Sequence, residues 1–171
     1  MIHEWSSVFL MPQMPGSAKV ASGAFVPPKR LAVDALLPGA TKALNALDAA
    51  VGRSTIESGL MELVRLRASQ INNCSYCIDM HSRDALAAGE TERRVLTLTA
   101  WRETPLFTPR ERAALELTEA LTRLADNPVS DEVWGAAASE FTETELAQLI
   151  WAVAVINVWN RLGAARPWGM V

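Results

Sequence analysis

Three side chains capable of redox or metal chemistry fall within a short stretch of this chain. Cys74 and Cys77 are three residues apart, and Cys77 and His81 are four apart. On a single helix, these spacings place all three on one face, with neighbouring Cβ atoms about 5–6 Å apart. Two thiols beside an imidazole can act as a redox-active dithiol or as part of a metal site.

A disulfide between Cys74 and Cys77 is within reach of this geometry. Disulfides prefer Cβ separations near about 3.8 Å, so the bond needs slight relaxation at the helix start and should be reducible rather than structural. The positive end of the helix favours the thiolate, and His81, one turn beyond Cys77, can take the thiol proton. We therefore predict Cys77 as the attacking thiol and Cys74, at the exposed helix start, as its resolving partner.

The upstream acid Glu62 is predicted to lie near the imidazole. Asn72 and Asn73 favour a turn, so the helices on either side should run antiparallel. When residues are counted outward from the middle of this turn along the two antiparallel helices, position 62 lies opposite about position 83, close to the level of His81. A carboxylate there can orient the imidazole and raise its basicity, or pass a proton to a leaving group.

Glu62, eleven intervening residues and then Cys74-x-x-Cys77-x-x-x-His81 resemble the core motif of the carboxymuconolactone decarboxylase and alkylhydroperoxidase D-like family. The resemblance extends over about residues 40–163. It implies a peroxidase in which Cys77 attacks a hydroperoxide, Cys74 resolves the product to a disulfide, and His81 with Glu62 relays protons. We expect an external dithiol or lipoyl-type reductant to complete the cycle, and no haem, flavin or metal cofactor.

One position departs from the family pattern. The best-known members carry a second histidine between the cysteines, where this chain has Tyr76, and a phenol is a poor base at neutral pH. The last helix, with Asn157, Asn160 and Arg161, also resembles the second half of the family. We expect the two asparagines to satisfy helix ends rather than contact substrate. The decarboxylase branch lacks the cysteine pair, so lactone decarboxylation is not expected.

Other interpretations of the same residues remain open. Cys74, Cys77, His81 and Glu62 could bind zinc, or belong to a purely structural helical module. The cysteines could form a dithiol relay that reacts with protein or lipoyl partners but hardly with peroxide. Glu62 could be a surface acid that pairs with Arg65 three residues later.

The rest of the pattern is helical and predicts an all-α, single-domain bundle of about seven helices. The expected helices span about 40–51, 54–71, 75–88, 91–102, 108–124, 130–139 and 142–162. The boundary signals are capping boxes at Ser54–Glu57 and Thr142–Glu145, N-caps at Thr91 and Ser130, the Thr108-Pro109 start, and the terminating glycines Gly89 and Gly163.

Residues 1–38 differ from the rest and are predicted to be an irregular N-terminal arm, followed by a helical domain over 39–171. Five of the nine prolines lie in the arm, and proline removes backbone donors. Apolar side chains such as Trp5 and Phe25 favour burial, so we expect an ordered arm packed on its own domain or on a neighbouring subunit.

Composition excludes several classes of protein. The chain has 171 residues, 16 Lys+Arg against 19 Asp+Glu and a net charge of −3, so no basic stripe for nucleic acid is expected. The longest apolar run, Leu149–Ile156, is far short of a membrane span. No secretory signal is recognisable, and the single C-x-x-C fits a reducing cytoplasm.

The last predicted helix is apolar on nearly all sides. Such a helix must be buried on most of its faces. This favours packing against other subunits in a homo-oligomer, with a central position in the core of one chain as the alternative.

Overall fold

Helices make up all the regular secondary structure of residues 30–165, the part of the chain that the computed structural model describes. The α-helices are α1 (Val33–Leu36), α2 (Pro38–Val51), α3 (Ser58–Ile71), α4 (Ser75–Ala87), α5 (Glu92–Thr97), α6 (Pro109–Thr122), α7 (Asp131–Glu140) and α8 (Glu143–Ala165). A 3-10 helix, Leu98–Glu103, follows α5. The all-α prediction is confirmed, and the additional helix is the single turn of α1.

Most of the predicted irregular arm, residues 1–38, lies outside the described residues. Its described end, from residue 30 onward, contains α1 and the first residue of α2. Its packing on the domain or on a neighbouring subunit stays a prediction.

Helices α3 and α8 form the centre of the bundle. Helix α3 packs against α4, α6 and α8, and its Leu63, Val64 and Leu66 have no exposed surface. Helix α8 packs against α2, α3, α4, α6 and α7, which makes it a core helix. Its outward side leaves Trp151 and Val158 exposed, 53% and 43% respectively. Within residues 30–165, no helix combines the length and apolar character needed to cross a bilayer.

The turn between α3 and α4 is where the sequence predicts it. Asn73 adopts a left-handed conformation, with φ of 53°, which asparagine tolerates better than most residues. The amide of Cys74 donates back to the carbonyl of Ser69 at 3.1 Å and closes the reversal. At the far end of α4, Gly89 has φ of 99° and ends the helix as predicted.

Several predicted helix starts are confirmed by hydrogen bonds. Thr108 and Glu111 form a reciprocal capping box at the start of α6. The Ser130 hydroxyl accepts from the amide of the third residue of α7. Thr142 and Glu145 make the corresponding reciprocal contacts at the start of α8.

The predicted capping box at Ser54–Glu57 is wrong. Helix α3 begins at Ser58, and Glu57 is its N-cap without a side-chain cap. The Ser54 hydroxyl instead accepts from the amide of Ile56 and donates to Gln148 of α8. The segment before α3 is therefore held by a distant helix, a contact that local sequence does not reveal.

The predicted single helix over 91–102 is divided in two. Thr91 caps α5 by accepting from the amide of Arg94, but α5 ends after six residues and continues as the 3-10 helix. Ala100 has non-helical angles, φ −115° and ψ 30°. The next residue, Trp101, is buried and donates its indole N–H to Glu119 at 2.8 Å. Burial of this large side chain accompanies the departure from α-helical geometry.

A buried ion pair joins α3, α6 and the 3-10 helix. Arg67 Nε lies 2.7 Å from Glu119 Oε1, and Arg102 Nη1 lies 2.8 Å from Glu119 Oε2. Burial alone would raise the pKa of Glu119, but hydrogen bonds from Trp101, Arg102 and Arg67 together hold it below its ordinary value. The cluster therefore ties the second half of α3 to α6 and to the 3-10 helix.

Candidate active site

The antiparallel arrangement of α3 and α4 brings Glu62 to His81. Glu62 Oε2 lies 2.8 Å from His81 Nδ1, as predicted for two antiparallel helices joined at Asn72 and Asn73. His81 is buried, with 6% of its surface exposed, and the Glu62 side chain is largely buried. The two residues are nineteen positions apart in sequence and meet only because the chain reverses at Asn72 and Asn73.

Glu62 also contacts Arg65, its predicted partner in the alternative interpretation. Arg65 Nη1 lies 2.5 Å from Glu62 Oε1, so the carboxylate bonds the imidazole with one oxygen and the guanidinium with the other. Burial on its own would raise the pKa of Glu62, but the bond from His81 and the charge of Arg65 lower it below the ordinary value. Glu62 is therefore ionised at neutral pH.

The ionised carboxylate determines which nitrogen of His81 carries the proton. An acceptor facing Nδ1 requires a proton on that nitrogen and leaves the lone pair of the neutral ring on Nε2. Nε2 is buried and has no hydrogen-bond partner among the described residues. A buried, unpaired lone pair of this kind is suited to take a proton from a nearby acid.

Cys74 and Cys77 are joined in a disulfide at the start of α4. Their Cα atoms are 5.3 Å apart, Cys74 is the N-cap residue, and Cys77 lies in the first turn. The pairing is local, spanning three residues, as the spacing predicts. Tyr76, between them, is half-buried.

The expectation that Cys74 lies at an exposed helix start is wrong. Cys74 is 2% exposed and Cys77 3% exposed. Helix α8 packs against α4 and contributes to this burial, because its Gly163 lies beside both sulfurs. Both sulfurs are enclosed by the chain's own last helix, so neither residue is freely exposed.

Gly163 is the α8 residue that makes this enclosure possible. A Cβ atom at Gly163 would lie 2.7 Å from Cys74 Sγ and 3.5 Å from Cys77 Sγ. The sequence interpretation placed Gly163 beyond the end of the helix, which is wrong, because α8 continues to Ala165. Its spacing of three residues from Asn160 was the only sequence signal that could place it on the site-facing side.

The asparagines of α8 hold the turn between α3 and α4. The side-chain amide of Asn72 donates to Asn157 Oδ1 at 3.0 Å and to Asn160 Oδ1 at 2.9 Å. Asn160 is 1% exposed and donates to the Ser69 hydroxyl. Arg161 bonds the backbone and side chain of Asn157. The two asparagines therefore bond the Asn72 side chain at the end of α3 rather than backbone groups of a helix end, and the absence of a contact with substrate stays a prediction.

Asp84 is a second carboxylate at the site, beside Glu62, and it was not predicted from the sequence. One oxygen of Asp84 and ligand atoms of Glu62 and His81 lie within 4.8 Å of one another. Burial, followed by the charge of Glu62, raises the pKa of Asp84. Its spacing of three residues from His81 is the signal that could have identified it. The sulfurs are not part of this group, so the four predicted zinc ligands do not converge as one set in the described structure.

The arrangement provides the components of thiol–disulfide chemistry. A local disulfide lies in the first turn of α4, an imidazole with a free nitrogen lies one turn further along, and a carboxylate orients that imidazole. Two surface depressions, one lined in part by Arg112 and Glu116 and the other by Glu57 and Arg110, include neither cysteine.

Comparison with known proteins places this chain in a family. Residues 38–120 match the carboxymuconolactone decarboxylase family. Over 137 residues, 80% of this chain and 93% of the relative, the sequence is 35% identical to the uncharacterized protein YdfG of Bacillus subtilis (strain 168).

Two solved structures share the fold. A protein of unknown function from Agrobacterium tumefaciens, named provisionally as an antioxidant defence protein AhpD, has a TM-score of 0.77 and 33% identity over 80% of this chain and 94% of its own. An uncharacterized peroxidase-related protein from Ralstonia eutropha JMP134, described as an alkylhydroperoxidase AhpD core, has a TM-score of 0.68. Its identity is 19%, over 79% of this chain and 74% of its own, so it supports the fold alone. The chain belongs to the carboxymuconolactone decarboxylase and alkylhydroperoxidase D-like family.

Proposed function

We propose that this protein is a thiol-dependent hydroperoxidase that cycles between a Cys74–Cys77 dithiol and disulfide. The observation that carries the proposal is the buried His81–Glu62 pair, with its unpaired Nε2, one helical turn from Cys77. A structural disulfide has no need of an oriented base beside it. A thiol that must be deprotonated before each turnover does.

The first step is oxidation of Cys77. His81 Nε2 accepts the Cys77 proton, and the thiolate attacks the outer oxygen of a hydroperoxide. The O–O bond breaks and the S–O bond forms, so sulfur is oxidised to the sulfenic acid and the peroxide is reduced to an alcohol or water. The leaving oxygen takes the proton held on His81, whose charge is balanced by Glu62.

The second and third steps return the enzyme to its starting state. The Cys74 thiol attacks the sulfur of the Cys77 sulfenic acid, which forms the disulfide and releases water. An external dithiol then reduces the disulfide by two successive exchanges and becomes a disulfide itself. The cycle needs no haem, flavin or metal.

Burial of the sulfurs favours slender reactants. Both cysteines are nearly enclosed, so a small hydroperoxide and a narrow dithiol, such as a lipoyl arm, fit better than a broad protein surface. The antioxidant description of the Agrobacterium tumefaciens relative agrees with this chemistry. A reducing compartment such as the cytoplasm would sustain the cycle.

The proposal is tested by hydroperoxide consumption with dihydrolipoamide as reductant. We expect turnover by the wild type and none by Cys77→Ser or Cys74→Ser, because each variant lacks one partner of the disulfide. Asp79→Asn is the matched control, since Asp79 is on α4 but exposed and paired with Arg83. Wild-type protein that exchanges disulfides with the reductant yet leaves hydroperoxide untouched would instead be a dithiol relay.

Metal analysis of the same sample distinguishes a zinc site from the proposed redox cycle. The proposed cycle predicts less than about 0.1 zinc per chain after purification without chelator, and full activity after chelator treatment. Stoichiometric zinc whose removal unfolds the protein would contradict the peroxidase proposal.

We also propose that the chain works as a homo-oligomer. The exposed apolar side of α8, with Trp151 and Val158, supports this, because soluble monomers rarely leave large apolar side chains grouped on one face. Sedimentation velocity over a range of protein concentrations measures the subunit number, and a strictly monomeric species would contradict it.

A further inference from the structure

Gly163 lies against the disulfide sulfurs from the last turn of α8. Glycine is a poorer helix former than alanine, so helical propensity does not explain its presence there. Gly39 in α2 and Gly135 in α7 are helical too, but a Cβ atom at either would meet no atom of residues 30–165 within 4 Å. At Gly163 the same atom would lie 2.7 Å from Cys74 Sγ, nearer than real Cβ atoms approach sulfur.

The consequence of a methyl group at this position depends on the redox state. In the disulfide, the Cys74 sulfur is bonded to Cys77 and is held against α8. It cannot rotate about the Cα–Cβ bond without breaking the S–S bond. In the dithiol, the Cys74 side chain is free to change rotamer and move away from the added methyl group.

We propose that Gly163 is a positioning residue that provides the space in which the Cys74 sulfur bonds to Cys77, and so sets the balance between disulfide and dithiol. Gly163 contacts neither hydroperoxide nor proton relay in this account; it acts through the Cys74 sulfur. The inference rests on the proposed redox cycle, because a protein that never oxidises this pair would not use that space.

The test is the equilibrium between dithiol and disulfide in a glutathione redox buffer. We expect Gly163→Ala to lower the equilibrium constant for forming the disulfide at least about tenfold, which corresponds to a reduction potential about 30 mV less negative. Gly135→Ala is the control and should match the wild type, since its added Cβ meets nothing. Equal potentials for Gly163→Ala and wild type would overturn the inference.

Failure of the proposed function and failure of the role of Gly163 would give different results in this experiment. If the wild type forms no Cys74–Cys77 disulfide in any redox buffer, the proposed function fails. If the wild type forms it and Gly163→Ala forms it equally well, only the role of Gly163 fails.

A second variant covers poor folding of Gly163→Ala. Replacement of Cys74 by alanine removes the sulfur that the new methyl group would meet. We expect the double variant Cys74→Ala/Gly163→Ala to melt at the same temperature as Cys74→Ala or above it, because alanine is the better helix former. A lower melting temperature would show that the methyl group clashes with something other than the Cys74 sulfur, and would overturn the inference.

Discussion

The carboxylate of Glu62 lies 2.8 Å from Nδ1 of His81, across the turn that joins α3 to α4. The carboxylate holds the ring proton on Nδ1 and leaves Nε2 as the base. An ionised Glu62 also stabilises the imidazolium that forms when Nε2 accepts a proton.

The variant Glu62→Gln should distinguish the role of Glu62 in orienting His81 from the role of its negative charge. The glutamine oxygen can still accept from Nδ1, but the charge that stabilises the imidazolium is lost. We expect the second-order rate constant for Cys77 oxidation to fall about 10²-fold, within the range for general base catalysis. Stopped-flow fluorescence of the reduced protein mixed with hydroperoxide measures it. An unchanged rate constant would remove Glu62 from the mechanism.

Asp84→Asn should stabilise the fold at neutral pH. Burial and the charge of Glu62 raise the pKa of Asp84 in the folded state. The protonated carboxyl therefore favours the folded state at a pH below its unfolded pKa, and this stabilisation is lost as the pH rises through the folded pKa. Because Asp84 is only partly buried and keeps much of its surface exposed, we expect the melting temperature to rise by at most about 2 °C at pH 7. The gain should shrink towards pH 4, where the carboxyl is increasingly protonated. A gain that is the same at both values would contradict this electrostatic cause.

Glu119→Gln should destabilise the bundle strongly. Removal of the Glu119 charge leaves the Arg67 guanidinium, whose side chain is only 10% exposed, without a counter-charge. We expect a loss of about 3 kcal/mol in the free energy of unfolding, measured by urea denaturation at pH 7. The control Glu116→Gln breaks only an exposed 3.4 Å pair with Arg102 and should cost less than about 0.5 kcal/mol.

The variant Glu119→Gln should also change how the free energy of unfolding depends on pH in the acidic range. The pKa of Glu119 is lowered in the folded state. The ionised carboxylate therefore stabilises the folded protein at a pH above its unfolded pKa, and this stabilisation is lost as the pH falls through the folded pKa. The difference between wild type and Glu119→Gln should therefore diminish below about pH 4.5. A difference that stays constant down to pH 3 would assign the effect to packing rather than charge.

Local signals predicted those parts of the fold in which no distant contact overrides them. The cap at Thr108 with Glu111 and the turn at Asn72 and Asn73 are both indicated by neighbouring residues in the sequence, and both are present. Once that turn was placed, the meeting of Glu62 with His81 followed from counting residues along antiparallel helices.

The remaining features depend on contacts between distant segments. Burial of Cys74 and continuation of α8 through Gly163 are two aspects of one packing contact, which spacing along the chain does not encode. Likewise, the hydroxyl of Ser54 bonds Gln148 rather than capping α3. In each case tertiary packing outweighs the local preference.

Asn160 provides a test of the link between α8 and the turn below the site. Asn160→Ala removes two hydrogen bonds, to Asn72 and to Ser69, from a side chain that is almost fully buried. We expect a loss of about 1–3 kcal/mol in the free energy of unfolding. Arg161→Ala, on an exposed neighbouring residue, should cost well under about 1 kcal/mol. If the two variants were equally stable, the asparagine network would have no role in holding the turn.

The central claim is that Cys77 is the peroxide-attacking thiol and Cys74 the thiol that resolves it. Thiol titration of reduced protein, before and after one equivalent of hydroperoxide, tests this most directly, with dimedone present to trap sulfenic acid. We predict that the wild type goes from two thiols to none as the disulfide forms, that Cys74→Ser yields a dimedone adduct on Cys77, and that Cys77→Ser keeps its single thiol. A dimedone adduct on Cys74 in Cys77→Ser, formed as fast as that on Cys77 in Cys74→Ser, would contradict the account.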